Sequence, residues 1–165
     1  VVAVIGESGS GKSTLLSLVA GFEPPDAGDL RWNQNSSLRW SEQEWADFRK
    51  KHLGFVFQNY YLIPYLTALE NAALPLRLLN DPACEEKARE ALSELGLKHR
   101  LDHLPSQMSG GECQRVGIAR ALIHKPELVL ADEPTGSLDS KTGEQVLGSL
   151  FTLLKQRRQT AMIVT

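Results

Sequence analysis

The chain opens with VVAVI, Val1 to Ile5, and runs straight into GESGSGKST, Gly6 to Thr14, before a helical stretch, Thr14–Ala20. That order of apolar strand, glycine-rich turn and helix constrains the fold more than any other feature. Gly6-Glu7-Ser8-Gly9-Ser10-Gly11-Lys12-Ser13 matches G-x-x-x-x-G-K-[ST]. Glycines at 6, 9 and 11 let the backbone wrap a phosphate with its N–H groups, and the helix that follows adds the positive end of its dipole. Lys12 is spaced to reach the β and γ phosphates, and Ser13 offers a hydroxyl to Mg²⁺. The pattern identifies a phosphate-binding loop and leaves open which nucleotide it takes.

Two further runs, Leu128–Ala131 and Ala161–Thr165, share with Val1–Ile5 an unbroken content of Val, Ile, Leu and other apolar residues. Such strands are covered on both faces, as in a parallel sheet. LGFVFQ, Leu53 to Gln58, reads as a fourth. Helical patterns lie between them. Ser41–His52 and Thr67–Leu79 each open with a capping box, Ser41 with Glu44 and Thr67 with Glu70. Glu85 leads a helix that stops at Gly96, and Ser140–Arg158 is the last and longest, with Gly143 and Gly148 inside it. Strand and helix alternate, so the class is α/β with right-handed crossovers. Residues 81–124 hold helices and no strand, which makes them a helical insertion beside the sheet.

At 165 residues, 42% hydrophobic, the chain suffices for one domain, 1–165, with a single substantial core. A formal net charge of −2 gives no sign of nucleic acid or of an anionic surface as partner. No apolar run approaches the ~20 residues that span a bilayer. Cys84 and Cys113 sit at no metal-ligand spacing and suit a reducing compartment. The chain begins without Met inside one apolar run and ends inside another, which reads as a piece of a longer protein.

Two motifs carry chemistry beyond the loop. LVLADEP puts Asp132 and Glu133 at the end of a buried strand, the sheet edge where α/β proteins bind ligands. An Asp there holds the Mg²⁺ shell of phosphate-loop enzymes, and the adjacent Glu133 is placed to polarise a water for in-line attack on the γ-phosphate. The second motif is Ser109-Gly110-Gly111-Glu112, at the start of a helix running to about His124. Its amides and dipole suit an anion, and its spacing equally suits a plain capping box. The residues alone leave both readings open.

In order, the phosphate loop, FVFQ, MSGGE, LVLADEPTGSLD and a closing apolar strand resemble the nucleotide-binding domain of an ABC transporter over essentially the whole chain. The resemblance implies a P-loop NTPase fold: a mostly parallel sheet, a small antiparallel β region and a helical subdomain at roughly 66–124. It makes Gly6, Glu7, Ser8, Gly9, Ser10, Gly11, Lys12, Ser13 and Thr14 the Walker A loop, Asp132 the Walker B aspartate and Glu133 the catalytic glutamate. Gln58 becomes the residue that touches Mg²⁺ and the water. Ser109, Gly110, Gly111 and Glu112 become the signature, which in the family presses on ATP held by a second copy, so that two domains sandwich two ATP. Ser137–Asp139 becomes the loop that crosses the interface, with Asp139 near nucleotide.

Within the family, FQNYYLIPYLTALENAALPL and RLDHLPSQMSGGE are most similar to the LolD/MacB group and its YbbA-like members, which work with FtsX-type permeases in lipoprotein release, efflux or envelope tasks. That implies a cytoplasmic ATPase held peripherally on the inner face of the membrane by its permease, with ATP and Mg²⁺ as ligands and no nucleic acid. The signature departs from the usual LSGGQ at Met108, a volume-conserving change, and at Glu112, whose charge predicts a modest loss of affinity. A switch histidine and an adenine-stacking aromatic are expected beyond the two ends. The cluster Tyr60, Tyr61, Ile63, Pro64 and Tyr65 after Gln58 fits either core or the permease surface. Trp32, Trp40 and Trp45 read as packing of the small β region, and the four histidines carry no assigned role.

Overall fold

The computed structural model describes all 165 residues. Strands β1 (Val2–Val4), β4 (Leu53–Val56), β5 (Leu128–Asp132) and β6 (Thr160–Val164) form one parallel sheet in the order β1-β6-β5-β4, while β2 (Arg31–Trp32) and β3 (Asn35–Ser36) pair antiparallel apart from it. Helices α1 (Lys12–Val19), α2 (Glu42–His52), α3 (Ala68–Leu78), α4 (Cys84–Glu94), α5 (Gly110–Leu122) and α6 (Ser140–Gln156) connect them, with a 3₁₀ turn at Pro105–Gln107. The class and the mixed sheet content agree with expectation. No helix is long and apolar enough to cross a membrane.

Side chains alternate across a strand, and the two faces of the sheet therefore bury different sets. Leu128, Leu130 and Val164 pack with Leu16, Ala20, Phe48 and Leu53 beneath α1 and α2. Val129, Ala131, Ala161, Ile163 and Val56 belong to a larger core of 26 residues shared with α3, α4, α5 and α6. Gly54 lets β4 and α5 meet closely, since a Cβ there lies 2.1 Å from the Ala121 carbonyl oxygen. Trp32, Trp40 and Trp45 surround Phe48, with ring centroids 4.9, 5.0 and 5.8 Å from it, so they pack as expected. Cys84 and Cys113 are free thiols.

The capping boxes of α2 and α3 form, with Ser41 and Glu44, and Thr67 and Glu70, exchanging bonds. Two boundaries differ from the pattern. Helix α1 starts at Lys12 rather than Thr14, because Gly11, at φ 90°, serves as its N-cap without any side chain. Strand β4 ends at Val56, not Gln58, because the Phe57 carbonyl turns away from the sheet to accept a bond from Gln114 Nε2 at 3.0 Å.

Candidate active site

The loop after β1 folds around its own lysine. Lys12 is 9% exposed, and its Nζ donates to the Gly6 and Glu7 carbonyls at 2.8 and 2.9 Å. Gly9 at φ 80° and Gly11 at φ 90° hold left-handed conformations that L side chains avoid. A Cβ on Gly6 lies 2.8 Å from Ser10 Oγ, within the turn itself. No side chain caps α1 and no acid stands in its first turn, so its first N–H groups are open. A buried ammonium bonded only to neutral carbonyls, and so keeping its full charge beside open amides, suits a polyanion such as ATP.

Strand β5 delivers the carboxylates. Asp132 Oδ1 accepts from Ser13 Oγ at 3.0 Å, joining the end of β5 to the start of α1. The chain then turns at Glu133, which stands at φ 40° with its N–H on the Val164 carbonyl at 3.0 Å. A bulky residue held left-handed costs on the order of 1–3 kcal/mol, and such positions cluster at functional sites. A Cβ on Gly136 lies 3.1 Å from Glu133 Oε2 and 2.7 Å from Gln58 Nε2, so the Gln58 amide and the Glu133 carboxylate both crowd that glycine. Ser13 and Asp132 are joined by a hydrogen bond, while Gln58 and Glu133 share the neighbourhood of Gly136. No group of three or more His, Cys, Asp or Glu gathers anywhere in the chain. A hydroxyl, a carboxylate and an amide near a phosphate site are hard oxygen donors of the kind Mg²⁺ takes, with phosphate and water completing its shell.

The second glycine-rich turn reconciles its two readings. Ser109 caps α5: its Oγ accepts from the Glu112 N–H at 3.3 Å, while Glu112 Oε2 accepts from Ser109 N and Oγ at 2.8 and 2.9 Å. The capping box is therefore formed, and the N–H groups of Gly110 and Gly111 still take no acceptor within the chain. Glu112 Oε1 also accepts from Arg100 Nε at 2.8 Å. These bonds, the Ser109 N–H first and the Arg100 guanidinium with it, hold the Glu112 carboxyl down to about 2.

Helix α5 also clasps the neighbouring loops with residues the sequence did not single out. Gln114, fully buried, donates to the Phe57 and Pro134 carbonyls at 3.0 and 2.6 Å. Arg120 donates to the Tyr60 and Tyr61 carbonyls at 2.6 and 2.7 Å, securing two consecutive tyrosines at φ 59° and 43°. The Tyr60 hydroxyl lies 3.1 Å from Ser137 Oγ and 2.7 Å from where a Gly110 Cβ would stand, and Ser137 Oγ also donates to the Gln58 carbonyl at 2.9 Å. The one available signal was polar: Gln114 falls on the buried, otherwise apolar face of α5. Asp139 is spent on capping α6, accepting from the Thr142 N–H at 3.0 Å. Tyr61 and Tyr65 are 64% and 77% exposed, which removes the core reading for both.

No hydrogen bond joins residues 109–112 to residues 6–14. A hollow of about 890 Å³ lies elsewhere, between α4, the segment after α6 and the start of β6, and is walled by mixed charges such as Lys87, Glu90, Glu127 and Arg158. The phosphate loop is an open surface, exposed at residues 6–11 around the buried Lys12.

Known proteins supply the same picture. A family model described as ABC transporter matches residues 1–136. The ABC transporter ATP-binding protein YbbA of Escherichia coli K12 is 46% identical over 99% of this chain and 73% of its own length. The lipoprotein-releasing system ATP-binding protein LolD of Idiomarina loihiensis is 46% identical, over 99% of this chain and 72% of its own. Among solved structures, the ATP-binding cassette MJ0796, a dimer in a post-hydrolysis state bound to ADP and Pi, superposes with a TM-score of 0.88 at 40% identity, over 99% of this chain and 73% of that one. With the fold, the loop and these likenesses agreeing over nearly every residue, the chain belongs to the ABC transporter family as an ATP-binding, ATP-hydrolysing cassette.

Proposed function

We propose that two copies of this chain close head to tail around two ATP molecules and that closure drives an FtsX-type permease in lipoprotein release, efflux or a related envelope task. The observation that carries this reading is the pair of open anion grips, one at Gly6–Thr14 and one at Ser109–Glu112, which share no hydrogen bond within the chain. Each copy offers its loop to its own ATP and its signature turn to the ATP of the other.

In this reading Lys12 and the amides of the loop bind the β and γ phosphates. Ser13, Asp132 and Gln58 would hold Mg²⁺, which would supply positive charge to offset that of the phosphates. Glu133 accepts the proton of a water as its oxygen bonds to the γ-phosphorus, while the bond from that phosphorus to the β–γ bridging oxygen breaks and its electron pair leaves with ADP. Gln58, beside the Glu133 carboxylate, orients the water. Ser109 and the Gly110 and Gly111 amides receive the γ-phosphate from the opposite side, and Asp139 lies near nucleotide across the interface. Residues 66–124 act as the helical subdomain. The exposed Tyr61 and Tyr65, together with Ile63 and Pro64, receive the permease and so hold the cassette on the inner face of the membrane.

The test is Glu133→Gln in the full chain. It is expected to keep ATP binding and to accumulate an ATP-bound dimer on size exclusion, with an FtsX-type membrane protein retained when it is purified from detergent-solubilised membranes. Hydrolysis at the wild-type rate refutes the role given to Glu133.

A further inference from the structure

The signature turn carries a negative charge at the place where a triphosphate is to be received, and the fold supplies the opposing charge from outside the motif. Glu112 lies in the first turn of α5, its side chain 13% exposed, and Arg100 Nε meets its Oε1 at 2.8 Å. Arg100 is itself fixed. Its Nη1 lies 3.1 Å from His103 Nε2, which must be the acceptor because a guanidinium only donates. The turn that carries it is anchored by the buried Leu97 and Leu101, and its Leu101 and His103 carbonyls accept the N–H groups of Leu69 and Ala68 at 3.0 and 2.9 Å. His99 Nε2 lies 4.0 Å from the same Oε1, and Arg115 Nη1 reaches the turn at Gly111, 3.8 Å from where a Cβ would stand there.

We propose that Arg100 is a positioning residue for ATP hydrolysis: it neutralises Glu112 and keeps that carboxylate turned back on the cap, so that Ser109 and the Gly110 and Gly111 amides can receive the partner's γ-phosphate. The inference rests on the reading of this turn as a grip for the other copy's ATP. Two of its features follow from the geometry. The carboxylate uses Oε2 for the Ser109 N–H and Oγ and Oε1 for Arg100, so it completes the cap without facing the incoming phosphate as a free anion. Without Arg100 the same carboxylate, ionised at neutral pH, repels an ATP that is itself anionic. A glutamine at 112 can keep the capping bond and carries no charge, so there Arg100 has nothing to offset.

The experiment uses the full chain and compares Arg100→Gln, Glu112→Gln, the double variant and Ser109→Ala, each checked for its melting temperature. The readouts are ATP-driven dimerisation, in a Glu133→Gln background, and the KM and kcat of hydrolysis without it. Arg100→Gln is expected to weaken ATP-driven dimerisation by about tenfold or more and to raise KM more than it lowers kcat, most strongly at low salt. The double variant is expected to recover to within about threefold of wild type, because the charge to be offset is gone. A silent Arg100→Gln, or a defect that persists undiminished in the double variant, overturns the proposal. Ser109→Ala separates the two levels: if it too is silent, the partner-phosphate reading fails, whereas a damaging Ser109→Ala beside a silent Arg100→Gln sinks only the role of Arg100. Should Arg100→Gln not fold, Arg100→Lys, which keeps the charge, is expected to retain near-native dimerisation, and an Arg100→Lys as impaired as Ser109→Ala counts against the idea.

Discussion

Glu112 is held ionised by three bonds, two from Ser109 and one from Arg100, and this couples the cap of α5 to pH. Its folded value of about 2 lies below the ordinary 4.5, so its contribution to stability is complete above the ordinary value and is lost as pH falls through that interval. Glu112→Gln is expected to be less stable than wild type at pH 7, with the difference in melting temperature, followed by circular dichroism, vanishing as pH approaches about 2. A constant difference across that range contradicts the assignment. Residues of this kind were half legible in the sequence. The spacing of Ser109 and Glu112 announces a cap because both partners are local. Nothing near position 112 announces Arg100, because that bond closes a loop through space.

The same limit governs whole elements. Strands β5 and β6 and the caps of α2 and α3 could be read from alternation and spacing, which act over a few residues. The start of α1 could not, since its cap is a left-handed glycine with no side chain to signal it. Nor could the early end of β4 or the clasp of α5, which depend on Gln114 and Arg120 reaching carbonyls 57 to 60 residues away. The seam between α5 and β4 rests on Gly54. Gly54→Ala sets a methyl against the backbone of Ala121 and the ring of Pro126, and overpacking of this kind costs about 1–3 kcal/mol or more. A lower urea midpoint is expected, with a fall in hydrolysis beyond what the lost stability explains, because moving α5 also moves the carbonyls at 57, 60 and 61. An unchanged midpoint would show the seam to be looser than these distances.

At the scale of the molecule, the parallel sheet gathers the loop after β1 and the acids at the end of β5 on either side of β6, while the signature turn shares no hydrogen bond with that loop or with those acids. Under the proposed dimer, each catalytic site takes the loop of one chain and the signature of the other. Lys12→Ala and Ser109→Ala therefore damage opposite halves. Mixed in equal amounts, the two inactive variants are expected to regain ATP hydrolysis, measured by phosphate release, up to about a quarter of the wild-type level, since half the pairs are mixed and each mixed pair holds one native site. No recovery on mixing refutes the shared architecture. A cell with one allele of each kind would then be rescued although neither allele works alone, whereas a Glu133→Gln allele, whose product still grips its partner, would act as a dominant poison.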